Sequence, residues 1–270
     1  MGDTDAELAV LAAQAASGVI RSYFRAPVTR YAKGDNDFAT GADIAAEQII
    51  LATLGAARPS DRFVAEESGS TGTAGSSRVW LIDPLCGTAN FAAGTPHLAV
   101  NIAARVGATI TTAAVADPFT EEVFGTDGND AWLHRDGQAL RLVPDATSRL
   151  VEVNLDYWVP GAGGFEPARL LGDPAFKAAF GARVLSTTLA VAWVAAGRRA
   201  AYVSDGDLRD SVHFASGIAL CQAAGCIVTG LLGQPIDASP YGLVAAADAE
   251  THTSLVGIIA NQVGQETPTN

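Results

Sequence analysis

Cysteine is scarce in this chain, with three in 270 residues, at positions 86, 221 and 226. An odd number at these spacings builds neither a disulfide framework nor a Cys-x-x-Cys metal knuckle, and Cys221 and Cys226 are expected in the core. Basic residues are also few: 17 Lys and Arg stand against 29 Asp and Glu, for a formal net charge of −12. Nucleic-acid backbones and anionic membranes are bound by clustered cations, so neither nucleic acid nor a membrane is expected as a partner. No apolar run approaches the length of a membrane span, and Met1-Gly2-Asp3-Thr4-Asp5 is acidic where a secretion signal is basic. A cytoplasmic protein is expected. Apolar residues are plentiful at 49% of the chain, enough to bury a large core in one domain or two coupled lobes.

Thr4 and Glu7 form a capping-box pattern ahead of helical spacing at Leu8, Leu11, Ala12, Ala15, Val19 and Ile20, which predicts a helix over 5–24. Pro27 ends it, and residues 33–37 read as a loop. A second helix begins at 40–43 and runs through Ile49, Ile50 and Leu54, with Asp43 read first as its cap and second as a metal contact. A short strand over 62–65 leads into Glu66-Glu67, and the Gly/Ser/Thr run 68–77 reads as a mobile loop. Strands over 98–106, 110–117, 122–126, 130–134 and 140–142, broken by turn residues, predict a largely antiparallel sheet of hairpins. The boundary is expected at 145–148. It would separate an N-terminal lobe, 1–147, from a C-terminal lobe, 148–270, that carries a late helix over 212–224. Further helices over 174–180, 187–196 and 251–263 and strands over 200–203, 227–229 and 243–246 complete the second lobe. Tyr157 and Trp158 precede a Gly-rich stretch, 160–164, that reads as flexible and able to line a pocket.

The chain is organised around Trp80-Leu81-Ile82-Asp83-Pro84-Leu85-Cys86-Gly87-Thr88-Ala89-Asn90-Phe91. An apolar strand delivers Asp83 to its own end, Pro84 interrupts the ladder for want of an N–H, and Gly87-Thr88 opens a helix whose N-terminus favours an anion. This stretch resembles the signature of the inositol monophosphatase family, a strand running into Asp-Pro-x-Asp-Gly-Thr-x-Asn-Phe. Every fixed position matches except the second Asp, which is Cys86. Ala65-Glu66-Glu67-Ser68 resembles the family's Gly-Glu-Glu-Ser, and Asp37-Phe38-Ala39-Thr40-Gly41-Ala42-Asp43 its Asp-x-x-Thr-x-x-Asp. Val212-His213-Phe214-Ala215-Ser216-Gly217 stands where Trp-Asp-x-Ala-x-Gly is expected, with His213 replacing an Asp. The resemblance covers nearly the whole chain and implies an α/β fold, a layered αβαβα sandwich with the site between its lobes, and a homodimer.

The resemblance also implies two or three Mg²⁺ ions. One would be held by Glu66, Asp83 and the backbone carbonyl of Leu85, with Thr88 positioning water. The second would be held by both Asp residues of the central motif and the Asp of the late helix. Here a thiol and an imidazole replace two of those carboxylates, and both are poor Mg²⁺ ligands, so ordinary two-metal hydrolysis is the reading most damaged. Residues that share an ion are close neighbours, so Cys86 and His213 are expected to touch. A thiol at a helix N-terminus beside an imidazole is expected to have a lowered pKa and to act as a nucleophile with His213 as its base. Asp83 or Asp210 would orient the ring, and the N–H groups of Gly87 and Thr88 would form an oxyanion hole. That reading needs no cofactor and assigns Cys86, His213, Asp83 and Thr88 to group transfer, condensation or cyclisation. Gly87, Thr88, Ala89 and Lys33 would contact a small anionic or phosphorylated substrate. The alternatives are a metal-dependent phosphomonoesterase, using Mg²⁺ or else Zn²⁺ or Mn²⁺ on Asp83, Cys86 and His213, and a non-catalytic binder of a phosphorylated metabolite.

Overall fold

Thr4 opens the first helix as its spacing predicts. Its hydroxyl accepts from the Glu7 N–H at 3.2 Å while Glu7 accepts from the Thr4 N–H at 2.8 Å, satisfying donors that every helix start leaves free. The computed structural model describes residues 3–34, 37–156, 165–206, 208, 211–238 and 242–264. In chain order its first elements are α1 (Asp5–Tyr23), β1 (Arg30–Gly34), β2 (Asp37–Thr40), α2 (Gly41–Ala57), β3 (Arg62–Ala65), β4 (Gly69–Gly72), β5 (Arg78–Cys86), α3 (Thr88–Ala92), β6 (Ala99–Val106), β7 (Thr109–Asp117), β8 (Glu122–Thr126), β9 (Ala131–Arg135) and β10 (Gln138–Arg141). There follow β11 (Leu150–Val153), α4 (Pro167–Gly172), α5 (Pro174–Ala179), β12 (Gly181–Arg183), α6 (Leu189–Ala195), β13 (Ala201–Ser204), α7 (Ala215–Ala224), β14 (Ile227–Thr229), β15 (Leu243–Ala246) and α8 (Ala249–Gly264). The expected mixed α/β class is the observed one. Two segments read as loops are strands instead: β1 with β2 forms a hairpin, and β4 pairs with β3. Every residue of β1 and β4 is exposed, so no apolar alternation marked them in the sequence.

The chain divides into two compact units. The first comprises 1–141, 187–189 and 211–223, and the second 142–186, 190–210 and 224–270. The cut at 141/142 lies close to the expected one, but the segment carrying His213 groups with the first unit instead of the second. The reason is packing. Val212, Ala215 and Ala219 lie against Leu81, Ala103 and Ala113 of the first unit's sheet, where four alanines let backbones approach closely. Burying Leu81 alone stabilises this contact by about 2 kcal/mol.

The sheet of the first unit has eight strands in the order β10-β9-β8-β7-β6-β5-β3-β4, antiparallel at every pairing except β3 with β5. Its other face carries α1 and α2: Trp80, Ile82 and Ile102 pack with Leu8, Ala12, Ile20, Ala46 and Ile50. Successive residues of β5 therefore bury on opposite faces, which is why 79–82 is a continuous apolar run and not an alternation. The second unit is built on a five-stranded mixed sheet, β12-β11-β13-β15-β14, with α4, α5 and α8 packed through Leu170, Phe176, Leu255 and Ile259 onto Val151, Val203 and Val244. Short α4 and β12 were not foreseen. Among the described residues no helix is long and apolar enough to cross a membrane.

Candidate active site

The parallel pairing of β3 with β5 sets the site. Ala65 lies opposite Ile82, and the Glu66 N–H continues the ladder to the Ile82 carbonyl at 3.0 Å, so Glu66 and Asp83 emerge side by side at neighbouring strand ends. Pro84 then breaks the pairing with β6, whose register shifts between Asp83 and Cys86. Gly87 follows at φ +111°, a conformation that L side chains avoid, and a Cβ there would lie 2.8 Å from the His97 carbonyl. Gly87→Ala is expected to cost about 1–3 kcal/mol in strain and to move Thr88, read as a lowered Tm together with lowered activity.

Helix α2 supports these residues through two acids one turn apart on one face. Asp43 fills both roles that the sequence left open between capping and the site. Its Oδ2 accepts from the Thr40 N–H and hydroxyl to cap α2, and its Oδ1 accepts from Thr88 Oγ1 at 2.9 Å. Glu47 accepts from the N–H groups of Glu67 and Ser68 at 2.8 and 2.9 Å and so pins the turn that follows Glu66. Thr88 Oγ1 also lies 3.2 Å from the Leu85 carbonyl. All of these residues, together with Lys33 and His213, belong to the first unit.

Asp83 is fully buried and takes three partners. Its Oδ1 accepts from the Leu85 N–H at 3.1 Å, and its Oδ2 meets Asn101 Nδ2 at 3.2 Å and His213 Nδ1 at 2.7 Å. Asn101 in turn donates to Thr188 Oγ1 at 2.8 Å and accepts from Ser216 Oγ at 3.1 Å. Asn101, Thr188, Ser216 and Glu47 were missed in the sequence. Asn101 left a signal, a fully buried amide inside the apolar strand β6, whereas Thr188 left none. Burial pulls the His213 imidazole down, but the charge and hydrogen bond of Asp83, helped by Cys86, push it up to about 11. The same cation holds Asp83 below the usual carboxylate range despite burial. Burial and the Asp83 charge push Glu66 up to about 8, against His213 and Lys33. Lys33 sits on β1 and not in a loop, and its ammonium contacts Glu66 at 3.0 Å and Glu67 at 2.7 Å.

Cys86 and His213 are neighbours as expected, and with Asp83 their donor atoms all lie within 4.8 Å of one another. The expectation of an activated thiolate is corrected. Burial, then the Asp83 charge, pushes the Cys86 thiol up, outweighing His213 and the Thr188 N–H that donates to the sulfur at 3.4 Å. The supposed base is equally unsuited, because an imidazole held protonated to about pH 11 cannot take a thiol proton at neutral pH. Helix α3 has only five residues, a weak source of field at its start. Asp83 is the group that orients the ring; Asp210, Tyr157, Trp158 and 160–164 lie outside the described residues. Cys221 and Cys226 are buried, and His97 is exposed.

The model of the inositol monophosphatase family matches residues 2–264. The chain belongs to the inositol monophosphatase family. An inositol-1-monophosphatase of Caulobacter vibrioides is 32% identical over 251 residues, covering 91% of this chain and 96% of that one. A Nus factor SuhB of Escherichia coli is 35% identical over 237 residues, covering 84% and 85%. The crystal structure of the extragenic suppressor protein suhB from Bartonella henselae matches with a TM-score of 0.81 at 26% identity, over 97% of this chain and 98% of that one. This family is enzymatic, and its relatives carry phosphatase or SuhB names, so the transferase expectation finds no support. Membership also corrects the expectation that no cofactor is required, since the family is Mg²⁺-dependent. Relatives of this chain bear the name Nus factor, so the expected absence of a nucleic-acid partner finds no support here.

The donors present fit Mg²⁺ at one of the two implied positions. Glu66, Asp83 and the Leu85 carbonyl are hard oxygens on adjacent strand ends, and the mutual repulsion of the two carboxylates is what a divalent ion relieves. Cys86 and His213 offer sulfur and nitrogen, and do not fit Mg²⁺ at the second.

Proposed function

We propose that this protein is a metal-dependent phosphomonoesterase acting on a small phosphorylated cyclitol, sugar or nucleotide. The observation that carries the proposal is the Thr88 hydroxyl, held at 2.9 Å by the buried Asp43 and flanked by the hard-oxygen set of Glu66, Asp83 and Leu85. Glu66, Asp83 and the Leu85 carbonyl would hold Mg²⁺, and the chemistry supplied on binding is Lewis-acid polarisation of the phosphoryl group. Thr88 donates to Asp43, which leaves its oxygen lone pairs free to accept from a water. As that water attacks phosphorus, its proton passes to Thr88 Oγ1 and the Thr88 proton passes to Asp43 Oδ1, while the ester P–O bond breaks and the leaving alkoxide takes a proton from solvent water. The family resemblance supports backbone N–H groups of Gly87, Thr88 and Ala89 as phosphate contacts. Lys33 is placed to neutralise Glu66 and Glu67 until substrate draws it away. A cytoplasmic homodimer belongs to the same proposal.

The test is a panel of inositol, sugar and nucleoside monophosphates assayed with Mg²⁺, Mn²⁺ or Zn²⁺ and with a chelator. Metal-dependent release of phosphate is expected, with Thr88→Ala lowering kcat about a hundredfold and Thr88→Ser retaining most of it, because only the hydroxyl relays the proton. No turnover with any metal, or a fully active Thr88→Ala, would overturn the reading.

A further inference from the structure

Beside the hard-oxygen position three donors of different character converge. They are a carboxylate oxygen of Asp83, the sulfur of Cys86 and a ring nitrogen of His213, all within 4.8 Å of one another. We propose that these three side chains bind one zinc-type divalent ion, so that the chain pairs a Mg²⁺ position with a softer one. The inference deepens the phosphatase reading by naming the second ion, but it stands on donor chemistry and not on turnover.

One nitrogen, one sulfur and one oxygen, with a fourth position open, is the ligand count of a catalytic zinc site. Donors around a tetrahedral zinc lie about 3.5 Å apart, given bonds of about 2.0–2.3 Å, so the Asp83–His213 pair at 2.7 Å opens and the wider separations, all within 4.8 Å, close, with shifts of about 1 Å. The charges match too, since a Cys86 thiolate and the Asp83 carboxylate together balance a divalent ion. Binding then releases the thiol proton and the imidazolium proton to solvent.

A second observation, independent of the cluster, is the set of donors aimed at it. The Thr188 N–H points at the Cys86 sulfur at 3.4 Å, and Asn101 Nδ2 at Asp83 Oδ2 at 3.2 Å, with Asn101 itself held by Ser216. Hydrogen bonds of this kind orient ligands and favour their charged, metal-binding forms. The sulfur that is a poor ligand for Mg²⁺ is a good one for zinc. The same substitutions that weaken one ion therefore select another.

Co²⁺ is the probe, added to the intact chain stripped of metal with a chelator and supplied with excess Mg²⁺. One equivalent is expected to bind with a thiolate-to-cobalt charge-transfer band in the near ultraviolet, and Zn²⁺ is expected to displace it. The band should vanish in Cys86→Ser and persist in Cys226→Ser. Zn²⁺ affinity should fall by more than about 100-fold in Cys86→Ser, beyond what loss of an outer partner costs. Zn²⁺ should also protect Cys86 from iodoacetamide, with the chelator reversing that protection. A wild-type protein with no charge-transfer band, a band that survives Cys86→Ser, or Co²⁺ fully displaced by millimolar Mg²⁺ would each overturn the proposal. If Cys86→Ser misfolds, the wild-type spectrum read together with metal-dependent protection of Cys86 from iodoacetamide still decides it. Since the band reports sulfur ligation without any ester present, an inactive protein that shows it loses the phosphatase reading and keeps the zinc site.

Discussion

Asp83→Asn is expected to lower kcat/KM for every phosphate ester the chain hydrolyses by about a thousandfold or more. Asp83 is the one side chain shared by both proposed metal positions, and it is fully buried near the C-terminal end of β5. Asparagine matches its shape and can still accept from the Leu85 N–H, so the fold is expected to persist. What is lost is the charge. Lewis-acid stabilisation of a phosphoryl transition state amounts to several kcal/mol, and about 4 kcal/mol corresponds to a thousandfold. Loss of the carboxylate also removes the partner that keeps His213 protonated. In metal-free protein His213 has a folded pKa of about 11, above the unfolded reference of about 6.5. Its contribution to stability is therefore fully present below about pH 6.5 and is lost as pH rises through 11. Urea denaturation of metal-free wild type and Asp83→Asn should accordingly differ most near pH 6, with the gap narrowing as the pH is raised. A variant within tenfold of wild-type kcat/KM would show that Asp83 holds no catalytic ion.

Much of this site was legible because its residues sit at strand and helix ends, where sequence leaves strong marks. The apolar run before Asp83, the proline after it, Gly87 and the capping pattern at Thr40 all follow from local sterics and hydrogen bonding. The double duty of Asp43 was half legible, since capping is local and the contact with Thr88 is 45 residues away. The ionisation of Cys86 was misread for a physical reason. Helix-terminus arguments assume a helix of some length and a solvated thiol, whereas α3 has five residues and the sulfur lies beside a buried carboxylate. That carboxylate captures the imidazole at 2.7 Å, so the expected Cys/His pair becomes an Asp/His ion pair with a thiol at its side. No spacing rule could rank those two pairings, because the distances depend on how the segment carrying His213 packs onto Leu81 and Ala103. The two exposed strands β1 and β4 were illegible for want of buried residues.

The double change Cys86→Asp with His213→Asp is expected to convert the site's metal preference from zinc-type ions to Mg²⁺. It restores three carboxylates around the second position and removes the sulfur and the ring nitrogen that exclude a hard octahedral ion. Replacing a thiol and an imidazolium by two carboxylates strengthens attraction for any divalent cation by several kcal/mol, and loss of the sulfur and ring nitrogen withdraws the donors that favour Zn²⁺, so Mg²⁺ affinity should rise, the preference should move from Zn²⁺ toward Mg²⁺, and Mg²⁺-supported turnover should rise with it. The cost falls on the metal-free protein. Without the His213 cation, Asp83 and the new carboxylates repel one another next to Glu66, whose proton is already held by burial and the Asp83 charge. The variant should therefore melt well below wild type in chelator and recover with Mg²⁺, whereas wild type should gain less from Mg²⁺. Calorimetric titration should find a second equivalent of Mg²⁺ in the variant alone, and Co²⁺ should bind it without a charge-transfer band. If the variant takes up no further Mg²⁺, the two substitutions are not what sets the metal preference. The choice of ion would then lie with the surrounding donors, Asn101 and Thr188 first among them, because these fix the direction in which Asp83 and residue 86 present their ligand atoms.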